Sequence, residues 1–111
     1  MITRFAMFEG RVKPGETASF RDAVLSELLP LWQAFPGALA VRVSFSDARD
    51  EGAPEFPLIL AIDYPDLATV EKALESPVRA QSRAVTQSVV ARFFEGRIHH
   101  HVTECHALSL S

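Results

Sequence analysis

The chain has 111 residues, 48% of them hydrophobic and 23% charged, with a formal net charge of −3 at neutral pH. That length is enough for one domain with its own core, and the acidic balance excludes nucleic acid as the main partner, because binding phosphates needs a positive field. A lone cysteine rules out an internal disulfide, no apolar run approaches the ~20 residues that cross a bilayer, and the first residues lack a secretory pattern, so a soluble, cytoplasmic protein with no membrane contact is expected.

Ile2 to Val12 alternates and is rich in aromatics, with Phe5 and Met7 on one face and Arg4, Ala6 and Phe8 on the other, which predicts a strand. Lys13-Pro14-Gly15 breaks it, and Thr17 is placed to cap a helix. Phe20, Val24, Leu28, Leu31 and Phe35 then recur at three- and four-residue steps, an amphipathic helix that Pro30 should kink or shorten and Pro36-Gly37 should stop. Ala38 to Ser46 alternates as a second strand, Leu39, Val41, Val43 and Phe45 against Arg42, Ser44 and Ser46. An acidic connection, Asp47 to Glu55, leads to a nearly all-apolar strand from Phe56 to Tyr64. Asp66 caps a second helical region, which restarts at Ser76-Pro77 and runs to about Phe94, with Gly96 as its stop. The last strand is Arg97 to His106, and the tail from Ala107 to Ser111 carries no signal.

The order β-α-β-β-α-β predicts an α+β, ferredoxin-like fold: a four-stranded antiparallel sheet with two helical regions on one face. Two helical regions cover only that face, yet the first and third strands are apolar on both. Phe5 and Met7 oppose Ala6 and Phe8, and Leu58, Leu60 and Ile62 oppose Ile59 and Ala61. A second copy of the chain is the economical cover, so a homodimer packed through the sheet face is expected.

Several short motifs occur in an order that resembles the dimeric α+β barrel superfamily, most closely the EthD-like proteins. They are Lys13-Pro14-Gly15, Phe20, Pro30-Leu31, Phe35-Pro36-Gly37, Leu74-Glu75-Ser76-Pro77 and Phe93-Phe94-Glu95-Gly96, and the likeness spans nearly the whole chain. It implies one EthD-like domain over residues 1–111, forming a dimeric α+β barrel with a small-molecule cavity between sheet and helices. Members of the superfamily include cofactor-free monooxygenases, isomerases and haem-binding enzymes. The chain departs from the Trp-x-x-x-His-x-Pro pattern typical of EthD-like first helices. With Pro30 matched, Val24 stands at the Trp position and Leu28 at the His position, so the customary acid–base histidine is absent.

All four histidines and the only cysteine lie between Arg97 and His106. Ten ordinary residues come after His99-His100-His101 and the triplet lies in an alternating pattern, so it is no purification tag. A strand sends neighbours to opposite faces, which divides the run. With Ile98 and Val102 toward the helices, Arg97, His99, His101 and Thr103 face a cavity on the dimer side, joined by Arg42, Ser44 and Asp63, and the first strand is expected to add Arg4, Ala6 and Phe8. His99, His101 and Asp63 are the catalytic candidates; Arg4, Phe8, Arg42, Ser44 and Trp32 are the ligand-binding ones, Trp32 as a wall or as plain core. Imidazoles titrate near neutrality and suit proton transfer. A His-x-His pair alone lacks a full metal ligand set, and the bland alternative is hydrogen bonding to Asp63. Cys105 reads as a buried inert thiol or one activated by His101, and His100 and His106 as surface or helix-packing residues. Arg79 and Arg83 read as a solvated helix face, and the Asp47–Glu55 connection as a hairpin loop or a lid.

Two function classes remain open. One is a carrier or accessory protein that binds a small apolar or aromatic metabolite without turnover and without a cofactor. The other is an enzyme, either a cofactor-free oxygenase, isomerase or hydrolase using His99 or His101, or a metal- or haem-binding one. No phosphate loop, nucleophile elbow or complete metal signature favours the enzymes.

Overall fold

A computed structural model describes residues 1–110. The elements run β1 (Ile2–Val12), α1 (Thr17–Ala23), a π-helical turn (Val24–Leu28), α2 (Leu29–Gln33), β2 (Ala40–Phe45), β3 (Leu58–Tyr64), α3 (Leu67–Leu74), α4 (Pro77–Phe93) and β4 (Phe94–Glu104). The order β-α-β-β-α-β is therefore present, with each helical region in pieces.

Pro30 explains the first region. Inside a regular helix it would remove a donor and crowd the carbonyl four residues back. Instead the chain widens by one residue, the Leu29 amide donates to the Val24 carbonyl, and Pro30 falls in the first turn of α2, where neither penalty applies. One inserted residue rotates the downstream turn by about 100°, so Trp32, 3% exposed, continues the buried stripe of Phe20, Val24 and Leu28. Leu31, expected in that stripe, is only half-buried. Thr17 is the first helical residue rather than the cap, which falls to Glu16 without a side-chain bond. Asp66 does cap α3, its Oδ1 accepting from the Thr69 amide at 2.8 Å, and Pro77 opens α4 behind Ser76.

The sheet has the order β2-β3-β1-β4, with every pair antiparallel. Its outer strands, β2 and β4, are free edges, so the sheet is open and the expected barrel is corrected. Closure requires each strand to have two neighbours, and about eight strands are needed to enclose a side-chain-filled interior; this chain supplies four.

β1 and β4 pair over eleven residues, which sets Gly10 opposite Gly96. Gly96 is thus not a helix stop: α4 ends at Phe93 and Phe94 already begins β4. The two glycines have φ of +148° and +155°, and a Cβ on either would lie 2.1 Å or 2.0 Å from the facing carbonyl oxygen of Glu95 or Glu9. Phe94 anchors this junction in the core, edge-on to Phe8 and stacked on Phe20 at centroid distances of 5.9 and 6.1 Å.

The core lies between the helices and one sheet face, on which Ala6, Phe8, Leu58, Leu60, Ile62 and Tyr64 are buried. Leu39, expected to join Val41, Val43 and Phe45 there, is 62% exposed and precedes β2. Among the described residues, no helix is long and apolar enough to cross a membrane.

Candidate functional site

The residues expected to share one site are divided between the two faces of the sheet. Arg42, Ser44, Asp63, His99 and His101 lie on the face away from the helices, as alternation from Ile98 and Val43 requires. There Asp63, 4% exposed, accepts from Thr3 Oγ1 at 2.6 Å and from Arg42 Nη2 at 3.1 Å through Oδ1, while Oδ2 accepts from Arg42 Nη1. The Arg42 guanidinium, helped by the Thr3 hydroxyl, holds the Asp63 carboxyl below its ordinary range. That carboxylate is committed, so it orients neither imidazole. His99 Nε2 instead meets Glu9 Oε1 at 2.8 Å, and the His101 ring has no hydrogen bond among the described residues.

The expected catalytic set of His99, His101 and Asp63 is therefore corrected: two imidazoles share a face, but their partners draw the groups apart. Among the described residues no three His, Cys, Asp or Glu side chains converge to hold a metal ion, which overturns the metal-site alternative. Cys105 is a half-buried free thiol, and Ser44 is exposed.

The pair with Arg42 makes a pH prediction. Asp63 has a lowered pKa in the fold, so its stabilisation is fully present above the ordinary value of about 3.8 and is lost as pH falls through the lowered one. Asp63→Asn should cost about 1–2 kcal/mol at pH 7, a modest figure because the Arg42 side chain is half exposed. In urea unfolding the gap from the parent should narrow below pH 3.8; a gap independent of pH would contradict the pairing account.

Arg4, Ala6 and Phe8 face the helices, not the open face. Both alternating sets of β1 are apolar, so composition does not choose between them. Pairing does, because Ala6 stands opposite Leu60 and Phe8 opposite Leu58, both core residues. On this side a cavity of about 360 Å³ opens between the sheet, α2 and α4. Phe8 and Leu60 form its floor, and Trp32 and Phe35 its wall. From α4 come Arg79, Ser82, Arg83, Thr86 and Gln87, spaced at three and four residues, so one polar helix face borders the cavity, with Ser82 buried and Arg83 and Gln87 exposed at its mouth. Arg4 and His100 complete the polar lining.

That lining contains three arginines and no Asp or Glu. Among the described residues, Arg4, Arg79 and Arg83 each lack a carboxylate within ion-pairing distance. Arg79 reaches only the Leu74 carbonyl, at 3.4 Å. Burial and then the charge of Arg79 lower the pKa of Arg4. His100 is exposed as a whole residue, yet desolvation of its imidazole, followed by the charges of Arg4, Arg79 and Arg83, lowers its pKa from 6.5 to about 4. Beside Arg4 on the same face, Tyr64 is fully buried and its hydroxyl has no hydrogen-bond partner among the described residues. An unpartnered cationic cluster against an apolar floor can hold an anion and desolvate the body attached to it.

Sequence reasoning places Arg79, Arg83 and His100 at the surface or in packing; Arg83 and His100 are exposed, but that reading does not bring them to one cavity with Arg4. The available signal is the shared face of Arg79, Ser82, Arg83 and Thr86, but a polar helix face reads as solvated until the sheet beneath it is placed.

No protein-family model and no curated protein matches the chain. Solved structures do. An EthD (ethyl tert-butyl ether D) family protein from Bacillus halodurans superposes with a TM-score of 0.76 at 17% identity, over 96% of this chain and 99% of that one. A dimeric protein of unknown function and ferredoxin-like fold from Bacteroides fragilis gives 0.65 at 14%, over 94% and 95%. SnoaB, a cofactor-independent oxygenase from Streptomyces nogalater, gives 0.64 at 13%, over 96% and 94%. At such identities the likeness establishes the fold alone. It supports the ferredoxin-like topology, here with an open sheet and without the expected barrel.

Proposed function

We propose that the protein binds a small molecule with an anionic end and an apolar or aromatic body in the cavity between sheet and helices. One observation carries this reading: Arg4, Arg79 and Arg83 line one cavity without a carboxylate partner among the described residues, in a chain whose net charge is −3. Cations gathered around one cavity repel one another, and an anion relieves that repulsion. The volume of about 360 Å³ lies within the range of small-molecule sites.

Trp32 is the only tryptophan and stands in the cavity wall, so it reports on occupancy. Titration with benzoate should change its emission, and Arg83→Ala should weaken binding roughly 10-fold or more, the value of a charge-assisted hydrogen bond. Unchanged emission, or equal affinity in the variant, would count against the site.

The other sheet face supports a homodimer. Phe5, Met7 and Ile59 are half-buried on a side that no helix of the chain covers, and the similar protein from Bacteroides fragilis is dimeric. Light scattering after size exclusion should give twice the chain mass at micromolar concentration; a stable monomer would refute the pairing. The single thiol suits a reducing cytoplasm.

A further inference from the structure

We propose that the bound anion carries two negative charges at one end, as a phosphate monoester or a dicarboxylate does, and that His100 becomes a fourth cationic donor when it binds, taking up a proton. This rests on the reading of the cavity as an anion site and specifies the head group it takes.

The charge count favours such a head. A monoanion among Arg4, Arg79 and Arg83 leaves two guanidinium charges uncompensated, whereas a doubly charged head leaves one, which leaves room for a protonated His100, and presents enough oxygens to meet more than one guanidinium fork. His100 is placed to act with them. It pairs with Ala6 across the β1–β4 ladder, two residues along the same face from Arg4, and α4 brings Arg79 and Arg83 over it one helical turn apart. The charged groups around it are thus Arg4 from β1, Arg79 and Arg83 from α4, and His99 on its own strand; no carboxylate lines the cavity.

In the empty site desolvation first, and then those cations, keep the imidazole neutral, with a pKa of about 4. A doubly charged anion offsets the cationic part of that shift and attracts the imidazolium directly, so it raises the His100 pKa from that low value. The bound state then holds more protons at His100 than the free state, so affinity for the doubly charged form of the ligand rises as pH falls from neutrality.

The test uses benzoate, phthalate and phenyl phosphate, one ring with one or two charges, followed by Trp32 fluorescence. Calorimetry at pH 6.5 in two buffers of different ionisation enthalpy counts the protons, for the parent protein and for His100→Gln. Phthalate or phenyl phosphate should bind at least tenfold more tightly than benzoate, with net proton uptake at this site in the parent and none in His100→Gln. Phenyl phosphate titrates near pH 6 itself, a contribution common to both proteins that cancels in the difference. Preference for phenyl phosphate identifies a phosphate monoester head; preference for phthalate identifies a dicarboxylate. Benzoate binding as tightly as both would overturn the two-charge proposal while leaving the anion site standing. Proton uptake unchanged in His100→Gln would overturn the part given to His100, and binding by none of the three would overturn the anion site itself.

Discussion

Gly96→Ala and Gly10→Ala should each destabilise the protein by on the order of 3 kcal/mol or more, whereas Gly52→Ala, on the β2–β3 connection, should cost only about 1–2 kcal/mol. All three glycines have positive φ, so all share the intrinsic strain of a side chain in that region. The difference lies in what a methyl group meets. At Gly52 nothing stands within 4 Å, while at Gly10 and Gly96 the new Cβ would fall 2.1 and 2.0 Å from a backbone carbonyl oxygen of the facing strand. Backbone in a paired ladder cannot move aside as a flexible side chain can. This ladder also sets the register that places His100 opposite Ala6 and near Arg4, so the damage reaches the cavity. Urea unfolding of the three variants measures the contrast. Gly96→Ala no worse than Gly52→Ala would mean that the strands do not approach so closely.

Arg4→Met should separate stability from binding. The guanidinium of Arg4 is half-buried, feels the charge of Arg79 and has no carboxylate partner among the described residues, so in the empty protein it is an electrostatic liability. Methionine keeps the length and flexibility of the stem and removes the charge. The variant should therefore melt no lower than the parent, with a gain of up to about 1 kcal/mol, while benzoate affinity falls at least 10-fold, since a charge-assisted contact is worth about 1.5–3 kcal/mol. Thermal unfolding and Trp32 fluorescence read the two effects separately. Loss of stability with unchanged binding would make Arg4 a structural residue and count against the anion site.

Much of the fold is legible in the sequence because the strands alternate and the helices carry strong punctuation. Pro36-Gly37 ends the first helical region as its chemistry requires, with Gly37 at φ +79°, and Asp66 and Ser76-Pro77 start helices where expected. The faces of β2, β3 and β4 emerge from alternation. β1 resists it: Phe5 and Met7 are as apolar as Ala6 and Phe8, and only pairing with Leu58 and Leu60 shows which set is buried. That one ambiguity sends Arg4 and Phe8 to the wrong side and moves the expected cavity with them. Alternation divides the histidine run correctly, yet it singles out the pair and not His100, because the partners that give each its role are remote in sequence. Glu9 meets His99 across 90 residues, and Arg42 claims Asp63 across 21. The glycines carry a usable hint, since glycine within a strand marks close backbone approach, but Gly96 lies just past a helix and reads equally well as its stop. The barrel is an inference beyond one chain, and four strands with two free edges do not close.

The central claim is that the cavity on the helix side of the sheet, and not the face bearing His99 and His101, is where a small anion binds. Backbone amide shifts in a two-dimensional NMR titration with benzoate test it most directly. The account predicts saturable shifts at Arg4, Ala6, His100 and along α4 from Arg79 to Gln87, with Ser44 and Asp63 little affected. Shifts centred on Arg42, Asp63, His99 and His101, with α4 unmoved, would contradict it.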